Sequence, residues 1–342
     1  MSRVFPAKMT KFKLPTRLDV LDAAHVLDGV AINTPLLRSE RLSRMTEGEV
    51  YIKLESLQHT GAFKFRGAFN CLSRLDRSQY TDGVLAYSTG NHGQAIATVA
   101  KLLGLRATVV MPTDAPAVKI EKARAQGATI VLYDRTRESR EDIARQIGET
   151  GRYATVPPGD HPDIIAGQGT VALEALNRLG PGKVDVLIIP CGGGGLAAGT
   201  CLARDATSAL AEVWIAEPNG FDDTRRSLAS GFRETNSASV ISACDALLAP
   251  TPAELPFAIN RTGVARALSA NDLQVFSAMK LIFEEFRVAV EPGGAVAVAS
   301  VVASVLSEPL ALHGKVIVIV ASGGNVDANL FSEVIQTAEC IC

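Results

Sequence analysis

The chain has 342 residues, a length that typically folds into about two domains with a substantial buried core. Hydrophobic residues make up 47% of the sequence and charged residues 20%, which excludes an intrinsically disordered chain. The 34 Lys and Arg residues against 36 Asp and Glu give a formal net charge of -2, so the composition does not indicate nucleic acid or an anionic membrane as a partner. A small molecule is the expected ligand.

The cysteines indicate a reducing compartment, because the sequence has six of them and no C-x-x-C pair. The most apolar run, residues 295–306, is shorter than the roughly 20 residues needed to span a bilayer. Residues 1–15 carry four basic side chains but no apolar signal-peptide core. The sequence therefore predicts a cytoplasmic protein without membrane association.

Short apolar runs alternate with helical patterns from residue 84 onward, which is typical of an α/β protein with parallel sheets. In the first unit, strands are predicted at 84–88, 107–111 and 129–133, and helices at 92–103, 117–126 and 138–147. In the second unit, strands are predicted at 184–189, 213–217 and 316–321, and helices at 169–179, 196–204, 271–286 and 294–306. The helix at 294–306 is apolar on nearly every side, so we expect it in a core. The pattern predicts two three-layer αβα units with mostly parallel sheets.

Glycine-rich segments follow three of the predicted strands, at residues 88–93, 191–195 and 322–325. Ligands of open α/β sheets bind at the carboxyl ends of the strands, so we expect these segments to converge on one site. Gly192, Gly193, Gly194 and Gly195 precede a predicted helix, where backbone N–H groups and the helix dipole attract a phosphate group. Tight turns without a ligand are the alternative interpretation.

The segment Gly192-x-Gly194-x-x-Ala197 also satisfies a dinucleotide-binding pattern, with Glu217 at the end of the next strand. An NAD-dependent dehydrogenase is therefore a remote alternative. It leaves Lys64 unexplained. Small residues precede that lysine, and its amine could form a Schiff base with an aldehyde cofactor, although a surface lysine on an amphipathic helix is the simpler interpretation.

The segment S-x-x-x-T-G-A-F-K-x-R-G-A, from Ser56 to Ala68, resembles the pyridoxal-phosphate attachment motif of the threonine/serine dehydratase and serine racemase family. The similarity continues in order through residues 88–92, 166–170, 192–195, 217–218, 291–292 and 322–325. The resemblance implies fold type II, the tryptophan synthase β-like fold, usually found as a homodimer. It also implies that residues 1–82 and 159–342 form a large cofactor-binding domain and residues 83–158 a small mobile domain.

The resemblance implies roles for particular residues. Lys64 corresponds to the lysine that binds the cofactor aldehyde, and Gly192, Gly193, Gly194 and Gly195 to the loop that holds its phosphate. Asn91 would face the cofactor's 3-hydroxyl oxygen, Phe63 would lie beside the pyridine ring, and Ser322 would pair with the ring nitrogen. The expected contacts of the substrate carboxylate are Ser88, Thr89, Gly90, Asn91 and His92.

The activity implied is the conversion of a β-hydroxy-α-amino acid, such as threonine or serine, to a 2-oxo acid and ammonia, with Lys64 as general base. Thr89 takes the position of a serine on the opposite ring face in racemases, so it either delivers a proton or only hydrogen-bonds the substrate. Racemisation of serine or aspartate is one alternative activity.

A second alternative is dehydration of 3-hydroxyaspartate, because residues 156–162 and 241–245 depart from the family pattern. Asp160 or His161 would then contact a more polar substrate tail, unless both are solvated loop residues. Glu217, the Phe221 carbonyl and Asp223 match the family's cation loop and would bind Mg²⁺ or Ca²⁺. A solvated acidic turn is the alternative there.

Overall fold

The computed structural model describes residues 13–341 except 89, 114, 116, 135, 208, 209 and 238. Its strands form two sheets, and helices cover both faces of each. The strands are β1 (Leu36–Arg38), β2 (Glu49–Leu54), β3 (Gly83–Tyr87), β4 (Ala107–Pro112), β5 (Thr129–Tyr133), β6 (Tyr153–Thr155), β7 (Val186–Pro190), β8 (Glu212–Pro218), β9 (Val264–Ala270) and β10 (Val316–Ala321).

The first seven α-helices in chain order are α1 (Arg17–Leu27), α2 (Glu40–Thr46), α3 (Lys64–Leu72), α4 (Asn91–Leu102), α5 (Ala117–Ala125), α6 (Arg140–Thr150) and α7 (Pro162–Leu179). The next six are α8 (Gly195–Thr207), α9 (Asp223–Ser230), α10 (Glu254–Gly263), α11 (Asp272–Phe286), α12 (Pro292–Ser307) and α13 (Ala328–Thr337). Single 3₁₀ turns cover Glu55–Leu57, His59–Gly61, Asp245–Leu247 and Pro309–Ala311. In the described part of the chain, no helix combines the length and apolar character that a membrane span requires.

The larger sheet has six strands in the order β1-β2-β10-β7-β8-β9, and every neighbouring pair except β1–β2 is parallel. Side chains alternate between its faces, as strand geometry requires. Ile188 of β7 packs in the cluster formed with α11 and α12, whereas Leu187 and Ile189 pack with α7 and α8. Strand β10 lies between β2 and β7, so the loop that follows β10 begins near the middle of the carboxyl edge of the sheet.

Helix α12 packs on one face of this sheet, against β7, β8, β9 and β10. Its residues from Pro292 to Val302 are all buried. The prediction of a core helix is therefore confirmed, with two residues added at the start and one at the end. A helix apolar on every side is stable in water only when it is covered, and α11 and the sheet cover it here.

The smaller sheet has four parallel strands in the order β5-β4-β3-β6. All residues of β4 are buried, as expected for a parallel strand covered on both faces. Apolar residues of α3 and α4 pack on one face, and Ala144 of α6 packs with Leu85 and Val110 on the other.

The structure differs from the predicted elements mainly where local signals are weak. Helix α7 begins at Pro162, seven residues before the predicted start, because His161 caps it and Pro162 suits the first helical turn. Strands β1, β2, β6 and β9 are not among the predicted strands. Strands β1 and β6 have only three residues each, β2 contains Lys53, and β9 contains Arg266 and Ser269, so none of them is a long apolar run in the sequence.

A buried ionic network anchors helix α3. The Arg66 guanidinium donates to both oxygens of Glu55, at 2.9 and 2.8 Å, and also to Glu174 of α7. Lys53 Nζ donates to Glu174 at 2.5 Å. Arg66 and Glu55 are fully buried, so each charge depends on its partners for compensation. The network joins β2, α3 and α7 close to the start of α3, where Lys64 is the first residue.

Helices α3 and α7 also make a close crossing. A Cβ built on Gly167 would lie 2.7 Å from the Cα of Gly67, so the two helix backbones touch there. The Gly67 N–H donates to Oε1 of Gln168 at 3.2 Å. This contact explains Gly67 and Gly167, since a larger residue at either position would separate the helices.

Candidate active site

The start of α3 and the loops after β3, β7 and β10 surround a cavity of about 440 Å³. The predicted site residues that line it are Phe63, Lys64, Ser88, Gly90, Asn91, His92, Gly192, Gly193, Gly194, Gly195 and Ser322. The structure therefore brings together residues from both sheets at the carboxyl ends of their strands. Thr89, predicted to act in catalysis, lies outside the described residues.

Lys64 provides an amine inside this cavity. Its Nζ donates to the carbonyl oxygen of Pro158 at 2.6 Å and lies 5.0 Å from the centre of the Phe63 ring. Desolvation by burial lowers the pKa of Lys64 to about 8. A sizeable fraction of this amine is thus neutral near physiological pH, as a nucleophile or a general base requires.

The four-glycine loop is held in place through its carbonyl oxygens. The Gly193 carbonyl accepts from Ala253 N at 3.1 Å, and the Gly194 carbonyl accepts from Asn260 Nδ2 at 3.1 Å. Gly194 has φ of +89°, and a Cβ there would lie 2.7 Å from Asn260 Nδ2, so glycine is required. Because α8 begins at Gly195, N–H groups without helical acceptors lie in this loop, which makes it suitable for a phosphate.

Asn91 is fixed by hydrogen bonds at both ends of its amide. Its Nδ2 donates to Oε1 of Glu291 at 2.5 Å, and its Oδ1 accepts from Asn325 Nδ2 at 2.8 Å. Asn325 Nδ2 also donates to the carbonyl of Thr60 at 2.7 Å. Glu291 lines the cavity and is buried. The sequence motif includes the Glu291-Pro292 pair, but no role is predicted for Glu291. A charged residue directly before an apolar helix could have indicated a buried polar contact at the site.

His92 is buried and neutral. Its Nε2 lies 3.0 Å from the carbonyl of Val156, an acceptor, so Nε2 carries the proton. Burial, the largest cause, and the charge of Lys64 lower the pKa of His92 to about 3. Nδ1 has no hydrogen-bond partner among the described residues and carries a lone pair. The side chain therefore positions the loop, and donors to a carboxylate would have to be backbone N–H groups or Ser88.

Ser322 reaches the cavity from the loop after β10 and is 5% exposed. Its backbone carbonyl accepts from Phe63 N at 3.1 Å, and Ala62 forms an isolated antiparallel bridge with Gly323. These contacts hold Phe63 beside Ser322. A hydroxyl at this point offers a neutral hydrogen bond in place of a full charge.

Charged side chains also line the cavity, among them Arg140, Glu141, Asp160 and Arg233. Arg140, the first residue of α6, pairs with Glu141 at 2.8 Å and stacks 5.9 Å above the Tyr87 ring. Sequence reasoning gave Arg140 no role, because an arginine on a polar helix has no distinguishing local pattern.

The two residues expected to contact a polar substrate tail have structural partners instead. Asp160 lines the cavity, and its Oδ1 accepts a hydrogen bond of 2.8 Å from the backbone N–H of Leu255 in the first turn of α10. His161 Nδ1 accepts from Asp163 N at 3.2 Å and caps α7. Neither is therefore a simple solvated loop residue.

The predicted cation loop lies at the end of β8. Both oxygens of Glu217 accept backbone N–H groups of α9, from Thr224 and Arg225, at 2.9 Å each. Asp223 Oδ1 accepts from Asn236 at 2.6 Å, and Oδ2 is buried without a hydrogen-bond partner among the described residues. Burial raises the pKa of Glu217 to about 8 and that of Asp223 to about 6. Phe221, the third predicted ligand, is also buried.

The position of Glu217 disfavours the dinucleotide alternative. The dinucleotide pattern uses an acidic residue such as Glu217 to bind a ribose hydroxyl beside the glycine loop. Glu217 is fully buried and is not among the residues that line the cavity.

The residues present fit pyridoxal phosphate. The cavity offers an amine of lowered pKa for an aldehyde, a loop without Cβ atoms at a helix start for a phosphate, and a neutral hydroxyl and an aromatic ring for the pyridine. Fold and site together are those expected of an α/β enzyme that uses pyridoxal phosphate.

Comparison with known proteins agrees with this class. Residues 27–323 match the family model described as "Pyridoxal-phosphate dependent enzyme", and the chain belongs to that family. It is 39% identical to the L-threo-3-hydroxyaspartate ammonia-lyases of Pseudomonas sp. and Saccharomyces cerevisiae, over 93% and 95% of this chain and 98% of each relative. Among solved structures, maize serine racemase superposes with a TM-score of 0.88 at 33% identity, covering 95% of this chain and 98% of that one. The fold type II prediction is confirmed.

Proposed function

We propose that this enzyme is an ammonia-lyase for 3-hydroxyaspartate, converting it to oxaloacetate and ammonia. The observation that carries the choice is Arg140, a guanidinium on the wall of a cavity that also holds Lys64. Threonine and serine have a β-hydroxyl but no second carboxylate, so only 3-hydroxyaspartate would use that charge. The names of the two 39% identical relatives support the same choice.

Each group of the bound cofactor has a proposed partner. Gly192, Gly193, Gly194 and Gly195 hold its phosphate, and Asn91 faces its 3-hydroxyl oxygen. Phe63 lies along the ring, and Ser322 donates to or accepts from the ring nitrogen. When bound, pyridoxal phosphate supplies an aldehyde carbon for an amino group and a ring that withdraws electrons from the adjacent C–H bond.

Lys64 moves the proton in this proposal. Its amine, once released by the incoming amino group, takes the Cα proton, and loss of the β-hydroxyl as water follows. The resulting enamine tautomerises to an imine, and hydrolysis of the imine gives the 2-oxo acid and ammonia, so water is consumed and released once each. The neutral Ser322 hydroxyl favours elimination, because it stabilises a carbanion less than a carboxylate partner for the ring would.

Recognition of the substrate uses both ends of the molecule. The loop of Ser88, Thr89, Gly90, Asn91 and His92 receives the α-carboxylate through backbone N–H groups and the side chain of Ser88. Arg140 receives the β-carboxylate, since a guanidinium binds a carboxylate with two parallel hydrogen bonds. The Arg140 side chain is 29% exposed, so the incoming carboxylate replaces water and shares the guanidinium with Glu141.

A substrate panel with a matched pair of variants tests the function. We expect kcat/KM for 3-hydroxyaspartate to exceed that for L-threonine and L-serine in the native enzyme. Arg140→Met should lower kcat/KM for 3-hydroxyaspartate by about 10–150-fold, the effect of losing a hydrogen bond to a charged group, and change the two smaller substrates little. Arg137→Met is the control, because Arg137 lies on the same segment but is 84% exposed and pairs with Asp134.

Equal or better turnover of threonine or serine by the native enzyme would contradict the proposal.

Racemisation is the second candidate, supported by the similarity to maize serine racemase. Chiral analysis of the recovered amino acid measures it in the same reactions. A D-isomer that forms faster than the 2-oxo acid would identify a racemase.

We also propose that Glu217, Asp223 and the Phe221 carbonyl hold Mg²⁺ or Ca²⁺. The buried Oδ2 of Asp223, without a partner among the described residues, supports this site. Burial raises the pKa of both carboxyl groups, and the charge of Asp223 raises that of Glu217 further. A hard divalent cation with oxygen ligands would compensate both charges.

A further inference from the structure

A second cluster of metal-ligating groups lies where the end of α3 meets the start of α7. Cys71 is near the end of α3, His161 immediately precedes α7, and Asp163 is in the first turn of α7. The Sγ of Cys71 lies 3.8 Å from Nδ1 of His161, and that nitrogen lies 3.9 Å from Oδ2 of Asp163. All three ligand atoms lie within 4.8 Å of one another. The proposed reaction uses none of them.

We propose that Cys71, His161 and Asp163 bind one Zn²⁺ ion, with water as the fourth ligand. A thiolate, an imidazole and a carboxylate are ligands that zinc prefers in proteins. Tetrahedral geometry with ordinary zinc–ligand distances would separate the ligand atoms by about 3.3–3.6 Å. The observed separations from Nδ1 exceed these by a few tenths of an ångström, which small side-chain rotations can close. The Asp163 side chain is 37% exposed and gives water and the ion access.

The charges around the cluster favour a cation. Asp160 faces His161, and Asp19 and Asp22 of α1 face Asp163. Arg74 faces both Cys71 and Asp163, and is the opposing positive charge. Arg74 pairs with Asp22 at 2.7 Å, so Asp160 and Asp19 are the neighbouring carboxylates whose charge favours a cation.

Zinc binding also requires a defined proton release. Zinc binds the thiolate form of cysteine and the neutral form of histidine. Formation of the Zn–S bond expels the thiol proton to solvent, and the Zn–N bond uses the Nδ1 lone pair that now accepts from Asp163 N. Affinity for zinc should therefore increase with pH.

The site would join two segments that also meet at Lys64. Cys71 belongs to the helix that Lys64 begins, and His161 follows Pro158, whose carbonyl accepts from Lys64 Nζ. Asn70 Nδ2 already donates to the Asp163 carbonyl at 2.8 Å. A zinc ion would strengthen this connection, so occupancy should raise the melting temperature of the holoenzyme. The inference does not depend on which amino acid is the substrate.

Titration of the holoenzyme with Co²⁺ tests the site, because a cobalt–thiolate bond has a charge-transfer absorption. The titration uses a non-thiol reductant, excess Mg²⁺ to saturate the Glu217–Asp223 pair, and the metal-free holoenzyme as the spectral reference. We expect an absorption that saturates at one Co²⁺ per chain and disappears when Zn²⁺ is added. One proton should be released per metal ion near neutral pH.

Three variants identify the ligands. Cys71→Ala should abolish the absorption, and Asp163→Asn should weaken metal binding more than about tenfold, since even loss of an outer-shell partner costs 10–100-fold. Cys340→Ala is the matched control, because this thiol is exposed and donates to Glu284. Asp163→Asn changes a partly exposed side chain and so decides the question if Cys71→Ala fails to fold.

Three outcomes would overturn the proposal. The first is native metal affinity in a folded Cys71→Ala or Asp163→Asn holoenzyme. The second is loss of the absorption in Cys340→Ala, and the third is the absence of a thiolate absorption from the native holoenzyme at stoichiometric Co²⁺.

Discussion

Asn91 and Glu291, 200 positions apart in the chain, are joined by a hydrogen bond of 2.5 Å between Nδ2 and Oε1. Asn91 begins α4, which packs on the four-stranded sheet, and Glu291 precedes α12, which packs on the six-stranded sheet. The bond therefore couples the two sheets at the cavity wall. The position of the proposed substrate loop depends on this contact.

Loss of that coupling should weaken substrate binding. We expect Glu291→Ala to raise the KM of the preferred substrate by about tenfold, the effect of losing one hydrogen bond to a charged group. Glu291→Gln keeps an acceptor for Asn91 and should retain most of the affinity. Steady-state kinetics of both variants check this, and equal KM values for the Ala and Gln variants would show that the bond does not position the loop.

The lowered pKa of Lys64 predicts how cofactor attachment depends on pH. With a pKa of about 8, the neutral fraction of the amine rises about tenfold between pH 7 and pH 9 and then levels off. Attachment of pyridoxal phosphate to the stripped enzyme is measured by borohydride trapping and peptide mass spectrometry. The same attachment reaction with a free lysine derivative gives the reference pH dependence, which includes the ionisation of the cofactor. If attachment to the enzyme keeps rising above pH 9 as the reference does, the amine is not desolvated as described.

The phosphate loop offers a pair of glycines with different expected effects. Gly194→Ala places a residue at φ of +89° and a Cβ 2.7 Å from Asn260 Nδ2, so it should lower the free energy of unfolding by about 1–2 kcal/mol or more. A Cβ on Gly193 approaches the Cβ of Ala253 to 3.9 Å, an ordinary contact.

Gly193→Ala should therefore leave the cofactor-free protein as stable as the native form, yet weaken cofactor binding by about tenfold or more through displaced phosphate contacts. Thermal unfolding without cofactor and equilibrium titration with pyridoxal phosphate separate the two effects. Unchanged cofactor affinity in Gly193→Ala would place the phosphate elsewhere.

The ionic network behind α3 should dominate the charge contribution to stability. Arg66→Met leaves the carboxylate of Glu55 buried without its partner and should cost about 3–5 kcal/mol of unfolding free energy. Adding Glu55→Gln removes the orphaned charge and should recover part of that loss. The exposed Arg38–Glu40 pair is the control, and Arg38→Met should cost about 0–1 kcal/mol. Urea denaturation of the native protein and the three variants provides the comparison, and similar losses for Arg66→Met and Arg38→Met would refute the argument.

Divalent cations should stabilise the protein through Glu217 and Asp223. A 100-fold excess of Ca²⁺ or Mg²⁺ over its Kd should raise the melting temperature by about 5 °C, and a chelator should reverse the change. Asp223→Asn should abolish the response. Asp205→Asn, a change at an exposed carboxylate paired with Arg204, should retain it. A response of equal size in both variants would show that the cation binds elsewhere.

The sequence predicted the parts of the site that depend on local chain geometry. The glycine segments were predicted at strand ends, Lys64 was singled out by the motif of its neighbouring residues, and the structure places both around one cavity. The Asn91–Glu291 bond and the position of Arg140 could not be predicted, because they arise from packing between distant segments. The domain limits and mobility of residues 83–158, the role of Thr89, the homodimer and the cytoplasmic location stay predictions.

The anchoring of α3 also bears on how such enzymes diversify. Lys64 begins a helix whose buried Arg66 is tied to β2 and α7, whereas Arg140 begins a helix on the four-stranded sheet. If Arg140 binds the substrate tail as proposed, mutations in α6 can alter which tail is accepted without disturbing Lys64, the proposed catalytic lysine. Reaction and selectivity can vary as separate traits, so a new substrate can be acquired through changes in one helix while the catalytic machinery stays under its own constraint.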